Sequence, residues 1–403
     1  MTYKTDVTVI GAGASGMTAA IRAASKQRKV ILVEKQVNPG RKILASGNGR
    51  CNLLNLGKPR YYGDSDFAES VLKQCPADDI ISFFKHYGLA VTTEDEDRMY
   101  PYSFQAASVL NVLKNAIYLN GVSMMTGFNA LSVQKEKDSF LITGENGDTI
   151  QTAKVIIACG GAAQPKLGGT YDGYQILHSL GHTIIPTYPA LVSLTTDPKS
   201  ISGLSGIRSH CEITLVNDRK VLHQEKGEIL FTDYGISGIC VMQCARFTEK
   251  EKTQLQINFV SGIYENTEDV TEELRRRQKM LSDLSPVSLF DGILPERISF
   301  AVLKQAGIPL HGETAGSLSD NELRSIADRV MCYKVIITGT RGMDFAQVTA
   351  GGADCGEFIS ETMESRIISG VHAAGEVLNV DGDCGGFNLM FAFSSGIIAG
   401  RSV

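Results

Sequence analysis

The chain has 403 residues, 43% hydrophobic and 21% charged, enough for a large core spread over two or three domains. A formal net charge of −5 gives no bulk attraction to nucleic acid or to an anionic membrane. No apolar run reaches the length of a membrane span, and the first residues run into a strand rather than a leader, so a cytoplasmic setting is expected.

Residues 5–10 alternate as a strand, 14–25 read as a small-residue helix, and 30–33 as a second strand ending at Glu34, which together make a βαβ unit. Between the first strand and the helix stands Gly11-Ala12-Gly13-Ala14-Ser15-Gly16. Gly11 permits the tight turn, Gly13 lets a diphosphate approach the backbone, and Gly16 lets helix pack on strand. Glu34 falls near the roughly 20-residue spacing of the acid that binds an unphosphorylated adenosine ribose. Strand, turn, helix and acid in this order predict a dinucleotide site.

Residues 38–55 form a loop rich in Gly, Ser and Asn that suits wrapping around a polar ligand, with Gly40, Arg41, Lys42, Ser46, Gly47, Asn48 and Asn52 as candidate contacts. Arg41 and Lys42 could neutralise a diphosphate. Helices are expected over 65–74, 78–86 and 108–119. Strands are expected over 122–125, 130–135, 139–143 and 148–151 as a β-meander, then over 155–159, a buried strand closing in Ala158-Cys159-Gly160-Gly161. Small residues there let backbone pass close to a cofactor.

The character changes near Pro189. Strand patterns appear at 191–195, 209–216, 227–231 and 254–260, helices at 272–281, 295–305 and 319–330, and strands again at 334–338 and 345–349. The expected division is 1–188 for the first part of a nucleotide-binding domain, 189–264 for an inserted β-rich domain, 265–330 for a helical insert, 331–350 for the rest of the β-rich domain and 351–403 for the second part of the nucleotide-binding domain. The fold class is α/β: a doubly wound, Rossmann-like domain built from both chain ends, with a β-rich, barrel-like insertion carrying a small helical domain.

The final segment is a strand ending in Gly375-Glu376, then Gly385-Gly386-Phe387-Asn388 opening an apolar helix. A carboxylate at a strand end can accept hydrogen bonds from a polyol, and a helix N-terminus can stabilise charge on a reduced ring. A nucleotide site needs both ends of this chain only if its cofactor is long, with a diphosphate and a second polar chain beyond it. FAD fits that description and NAD alone does not. With a single GxGxxG and no dedicated second nucleotide domain, NADH or NADPH would visit the flavin directly as a transient electron donor, or electrons would arrive from another protein. The nine cysteines are scattered without a CxxC, which fits reduced thiols and no metal site. Cys240 and Cys244 read as buried small side chains on a helix.

The stretches GAGASGMTAA, GRKILASGNGRCNL, MYPYSFQAASVL, ILFTDYGISG, AQVTAGGA and TMESRIISGVHAAGEVLNVDGDCGGFNLMFAFSSGIIAG resemble the YhiN/BaiN family of bacterial flavoproteins, three-domain FAD-dependent oxidoreductases, over nearly the whole length. The resemblance implies noncovalent FAD contacted by Gly11, Gly13, Ser15, Gly16, Glu34, Lys35, Arg41, Lys42, Ser46, Gly47 and Asn52. It also implies contacts from the backbone near Ala130, Ala158–Gly160, Gly375, Glu376 and Gly386–Asn388. Asp233 and Ile239 stand where the family often has His and Pro.

The chemistry expected is hydride transfer between flavin N5 and a carbon centre. The resemblance implies three reactions: reduction of a conjugated C=C in a 3-oxo-4-ene bile-acid or steroid-like substrate, saturation of uridine to dihydrouridine in ribosomal RNA, and oxidation of a small, aminoacetone-type amine. A small-molecule substrate is favoured by the acidic balance. The one expected RNA contact is the basic run Arg275-Arg276-Arg277, which also reads as a solvated helix face. Cys51 is a candidate proton donor, and Arg98 with Tyr100 could orient a carbonyl or carboxylate.

Overall fold

A computed structural model describes residues 1–218, 220–248 and 253–403. In it, β1 (Thr2–Ile10) ends in the glycine turn, α1 (Ala14–Ala24) follows, and β2 (Val30–Glu34) returns parallel to β1. The chain continues through α2 (Arg41–Ala45), β3 (Leu54–Asn55), β4 (Tyr61–Gly63), α3 (Ser65–Gln74), α4 (Ala77–His86), β5 (Val91–Glu94), β6 (Arg98–Pro101) and α5 (Ala106–Leu119). Next come β7 (Ser123–Thr126), β8 (Ala130–Lys135), β9 (Phe140–Gly144), β10 (Thr149–Ile157), α6 (Asp172–Ser179) and β11 (Ile184–Ala190).

A second stretch holds β12 (Leu194–Thr196), β13 (Arg208–Asn217), β14 (Lys220–Phe231), β15 (Gly235–Ser237), α7 (Ile239–Cys244), β16 (Gln254–Asn258), α8 (Thr267–Met280), α9 (Glu296–Gln305), α10 (Asp320–Met331) and β17 (Tyr333–Thr340). The chain then closes with β18 (Val348–Ala353), β19 (Val371–Ala373), β20 (Val380–Gly382) and α11 (Phe387–Ser402). These elements make two compact units, Met1–Tyr188 with Gln347–Val403, and Pro189–Ala346. The return to the first unit falls at Gln347, ahead of β18, because β18 pairs with β11; the sequence reading had placed it at 351.

The first unit is built on a sheet of order β7-β2-β1-β10-β9-β8, with β19 also on β10. Val7, Val9, Val155, Ile156 and Ile157 are fully enclosed, as expected for central parallel strands covered on both faces. Both chain ends meet over this sheet. A Cβ at Gly396 or Gly400 of α11 would overlap the carbonyl oxygens of Ser15 and Ala19, so α11 lies backbone to backbone along α1. Phe393 of α11 meets Phe84 of α4 edge to face at 4.9 Å.

The second unit is a closed barrel of order β12-β15-β14-β13-β16-β17. Ile213, Leu215, Leu255, Ile257 and Val335 alternate inward and fill it. Cys240 and Cys244 are buried on α7. Helices α8 and α10 are capped at their N-termini by Asn266 and by a Ser319–Glu322 capping box, which start them cleanly in an otherwise polar stretch.

Three elements differ from the sequence reading. Residues 148–151 and 155–159 form one strand, β10. Its first half takes β9 antiparallel (Thr149–Thr152 against Phe140–Thr143) and its second half takes β19 parallel (Val155–Ile157 against Val371–Ala373). Residues 122–125 are not part of the meander: β7 pairs parallel with β2 at the opposite edge, since a strand leaving a crossover helix returns parallel. The strand β11 was not expected, because Pro186 and Pro189 fall inside it, and prolines argue for an edge rather than a strand interior.

His372 on β19 is fully enclosed, and burial pushes its imidazole down to about 4. The unfolded chain takes up that proton near 6.5, so this group's contribution is complete above about pH 6.5 and is lost as pH falls toward 4, amounting to about 3 kcal/mol. Unfolding free energies of the His372→Gln variant, measured across that window, are expected to show a shallower slope against pH than those of the parent chain.

Candidate cofactor site

The carboxyl ends of β1, β2, β10 and β19 converge at the glycine turn. Gly11 donates to Val33 O at 2.8 Å, Ala158 to Ile10 O at 2.9 Å, and Ala374 to Ile157 O at 2.9 Å. In open α/β sheets, ligands sit at this end. Gly11 has φ +104, and a Cβ there would stand 2.8 Å from the Ala158 carbonyl carbon. A Cβ on Gly16 would overlap Gly11 O. These two glycines are demanded by packing. Gly13 and Gly160 are demanded by something else: a Cβ at either would meet nothing within 4 Å, so their backbone faces open space. Gly13 also starts α1 with no side-chain cap, leaving its first-turn N–H groups for an anion.

Glu34 is fastened to this turn. Its Oε2 accepts from Ala12 N at 2.8 Å and its Oε1 from Gln36 N at 2.8 Å, which aims the carboxylate and leaves further lone pairs for hydroxyl donors. The backbone beyond it carries the segment leading to Ala130, with Phe128 N donating to Glu34 O at 3.0 Å. Lys35 turns outward, its Nζ 2.9 Å from Asp172 Oδ2. Cys159 lies behind the sheet end, its Sγ 3.6 Å from Ile10 O, with burial pushing its thiol up to about 12.

The glycine-rich loop is tied to the same turn by Gly40 N donating to Ala12 O at 3.1 Å. Its two cations diverge. Arg41 donates to Gln36 Oε1 at 3.2 Å, whereas Lys42 Nζ lies 2.7 Å from Glu376 Oε2. Lys42 is therefore paired with a carboxylate from a distant segment of the chain. The other oxygen of Glu376 accepts from Thr349 N at 2.8 Å, and Thr349 Oγ1 accepts from Ala163 N at 2.9 Å. Three distant segments thus close on one side chain. Ser46 Oγ donates to Ile43 O at 2.7 Å, and Gly47 and Asn48 are left-handed at φ 56 and 55.

At the far side, α11 begins at Gly386 with φ 109 and no side-chain cap. A Cβ at Gly386 would stand 2.7 Å from Asn52 Oδ1. That oxygen is buried and, among the described residues, has no hydrogen-bond partner. A buried acceptor without a donor is costly, so it calls for an N–H of the kind a flavin pyrimidine edge offers. The Asn388 carboxamide is used internally: its Nδ2 donates to Gly382 O and its Oδ1 accepts from Gly382 N, both at 2.8 Å. The anion-ready α1 terminus, the aimed Glu34 and the orphaned Asn52 acceptor fit FAD.

The family model described as "HI0933-like protein Rossmann domain" matches residues 5–402. The chain belongs to the HI0933-like family. Among relatives of this HI0933-like chain, it is 34% identical to a 3-dehydro-bile acid delta(4,6)-reductase of Clostridium scindens, covering 98% of each chain. It is 29% identical to a ribosomal RNA dihydrouridine synthase of Escherichia coli, covering 97% of this chain and 96% of the relative. Its fold is shared with a flavocytochrome c3 fumarate reductase at TM-score 0.51 and 15% identity, covering 99% of this chain and 78% of the other. This HI0933-like protein is an FAD-dependent oxidoreductase.

Of the reactive candidates in this HI0933-like chain, Cys51 is 0% exposed, and burial pushes its thiol up to about 11. Tyr100 is also buried, its ring face covered by the Arg50 guanidinium 4.6 Å from the centroid. Arg98 is partly exposed, ion-paired to Glu96, and its Nε is 3.5 Å from where a Gly385 Cβ would stand. Sequence reasoning missed Thr349, Asn55 and Arg50. Asn55 Nδ2 donates to Gly385 O at 2.9 Å and to Glu96 O at 3.1 Å, pinning the turn before α11. Only the AQVTAGGA stretch carried a signal for Thr349.

Proposed function

We propose that this oxidoreductase reduces the conjugated C=C of a 3-oxo-4-ene, bile-acid-like steroid and draws electrons from NADH or NADPH. Bound FAD supplies hydride from its N5 position. The first-turn N–H groups of α1 hold the diphosphate, Glu34 the adenosine ribose, and Glu376, fixed by Lys42 and Thr349, the polyol chain. The carboxamide of Asn52 and the open terminus of α11 hold the ring end. Arg98, beside the Gly385 turn, orients the substrate carbonyl.

The supporting observations are the Lys42–Glu376 pair and the approach of Asn52 to the start of α11, in a chain that shares 34% identity over 98% of its length with a bile-acid reductase. The test is anaerobic mixing of the NAD(P)H-reduced protein with a 3-oxo-4-ene steroid acid. Return of the oxidised flavin spectrum is expected; an unchanged spectrum would reject the reading.

The ribosomal RNA reading rests on relatives at 29% identity. Its candidate contact is occupied: Arg275 pairs with Glu268 and Asp320, and Arg276 and Arg277 both pair with Glu273. Charges already paired with neighbouring carboxylates add little to phosphate binding. Nothing in the site singles out amine oxidation.

The enclosure of Cys51 argues for packing over proton donation. Turnover of Cys51→Ala with the steroid is expected within about threefold of the parent, with a stability cost of about 1 kcal/mol in urea denaturation. A hundredfold loss of turnover in folded, flavin-loaded protein would reinstate the thiol as the acid.

A further inference from the structure

Among the described residues of the first unit, two buried polar groups stand close together without partners. Asn52 and Tyr100 are each 8% exposed. Asn52 Oδ1 is the orphaned acceptor at the start of α11, and the Tyr100 hydroxyl makes no hydrogen bond either. A buried tyrosine hydroxyl ordinarily finds a partner, so one left over points to a group that arrives from outside the chain. The two residues meet at Gly47. A Cβ there would stand 2.8 Å from Asn52 N and 3.5 Å from Tyr100 Cε1, the ring carbon next to the one that carries the hydroxyl.

The strand that carries Tyr100 adds a further group. Residues two apart on a strand share a face, so Tyr100 lies on the same face of β6 as Arg98, whose Nε is 3.5 Å from where a Gly385 Cβ would stand. The ring is held in place: the Arg50 guanidinium carbon stands over it at 4.6 Å from the centroid, and the Phe104 ring lies beside it, centroids 6.0 Å apart. Other proton carriers near the start of α11 are committed. Tyr61 Oη donates to Phe387 O at 2.8 Å, Tyr62 Oη donates to Asp383 Oδ1 at 2.9 Å, and the Cys51 side chain is fully enclosed.

We propose that Tyr100 is the acid of the reaction, delivering its phenolic proton to the α-carbon of the conjugated alkene while Arg98 holds the carbonyl. The inference rests on the enone-reductase reading above and names the proton source which that reading lacks. As hydride reaches the β-carbon, the π pair moves onto the α-carbon and the carbonyl oxygen. The Tyr100 O–H bond breaks, a C–H bond forms at the α-carbon, and the phenolate recovers a proton from water. The alkene gains two electrons, the flavin gives up the same two, and the tyrosine ends as it began.

The test is Tyr100→Phe, which keeps the ring and removes only the hydroxyl. FAD-loaded protein is reduced with stoichiometric dithionite and mixed anaerobically with a saturating 3-oxo-4-ene steroid acid. Return of the oxidised flavin spectrum is expected to slow by about a hundredfold or more, the usual share of a general acid. Titration of apoprotein with FAD, and calorimetric binding of the steroid to the oxidised protein, are expected to stay within about twofold of the parent, since the proton moves only in the transition state. In D2O the parent is expected to place deuterium on one face of the α-carbon and the variant on both, because solvent then protonates without guidance. Parental reoxidation by the variant would overturn the proposal. So would a loss confined to steroid binding, which makes the hydroxyl a carbonyl ligand, or one confined to FAD binding, which makes it a cofactor contact. A parent protein that the steroid never reoxidises rejects the enone reading, and the acid assignment falls with it. A parent that turns over, with a variant that equals it, removes the acid assignment alone.

Discussion

Gly16→Ala is expected to give protein that purifies without flavin, and largely as insoluble material. A Cβ at this position overlaps the Gly11 carbonyl oxygen, which belongs to the same turn, and it also stands 3.3 Å from Ala158 Cβ. Neither neighbour is a flexible side-chain end. Gly11 cannot retreat, because its own approach to Ala158 is already at the limit that only glycine reaches. The turn must open, and with it the start of α1, where N–H groups are gathered for a diphosphate. Strain of this kind in a packed core costs about 3 kcal/mol or more, a large share of the stability of a typical domain. The measurement is the ratio of flavin absorbance to protein absorbance after purification, with denaturation of any soluble fraction. A yellow variant with parental stability would mean that helix and strand do not touch as described. Gly13→Ala is the instructive control: it meets no protein atom, so it is expected to fold normally and to lose affinity for FAD alone.

The second large effect is expected at Glu376. Its carboxylate joins Lys42, from the glycine-rich loop, and Thr349 N, from β18, at 2.7 and 2.8 Å. The side chains of Lys42 and Glu376 are 29% and 19% exposed, so solvent screens the pair only in part. Glu376→Gln keeps an acceptor for Thr349 but leaves the Lys42 ammonium without its counter-charge, at a cost of about 1–3 kcal/mol. Because the pair fixes two segments against which the cofactor would lie, FAD affinity is expected to fall about tenfold or more, read by titrating apoprotein with FAD and following fluorescence quenching. Combining Glu376→Gln with Lys42→Met should recover part of the lost stability, since neither charge is then left alone. Strictly additive losses would show that the two residues act independently.

The glycine turn, Glu34 and the opening of α11 were legible because each is a local pattern: a strand ends, a small residue permits a close approach, a helix begins. The β-barrel was legible through alternation at Ile213, Leu215, Leu255 and Ile257. What could not be read was pairing across long separations. Nothing near Lys42 announces Glu376, which lies 334 positions away, so the lysine read as a free phosphate ligand. The polar residues Thr152 and Lys154 made β10 look like two strands, yet they mark the place where one strand changes partners from β9 to β19. Likewise the arginines 275–277 look like a basic patch in one dimension, and their neutralisation requires Glu273 one turn earlier and Asp320 from another helix. Local rules carry motif and periodicity, whereas ion pairs and strand order belong to the folded arrangement.

The seating of α11 on α1 through Gly396 and Gly400 has a consequence for biosynthesis. The whole of 189–346 leaves the ribosome between these two helices, so α1 of the nascent Rossmann half waits without its packing partner until α11 arrives. Closing so long a loop is slow, and the exposed apolar flank in the interval is a target for chaperones and for aggregation. A cofactor site that uses the start of α11 would be complete only after that late docking.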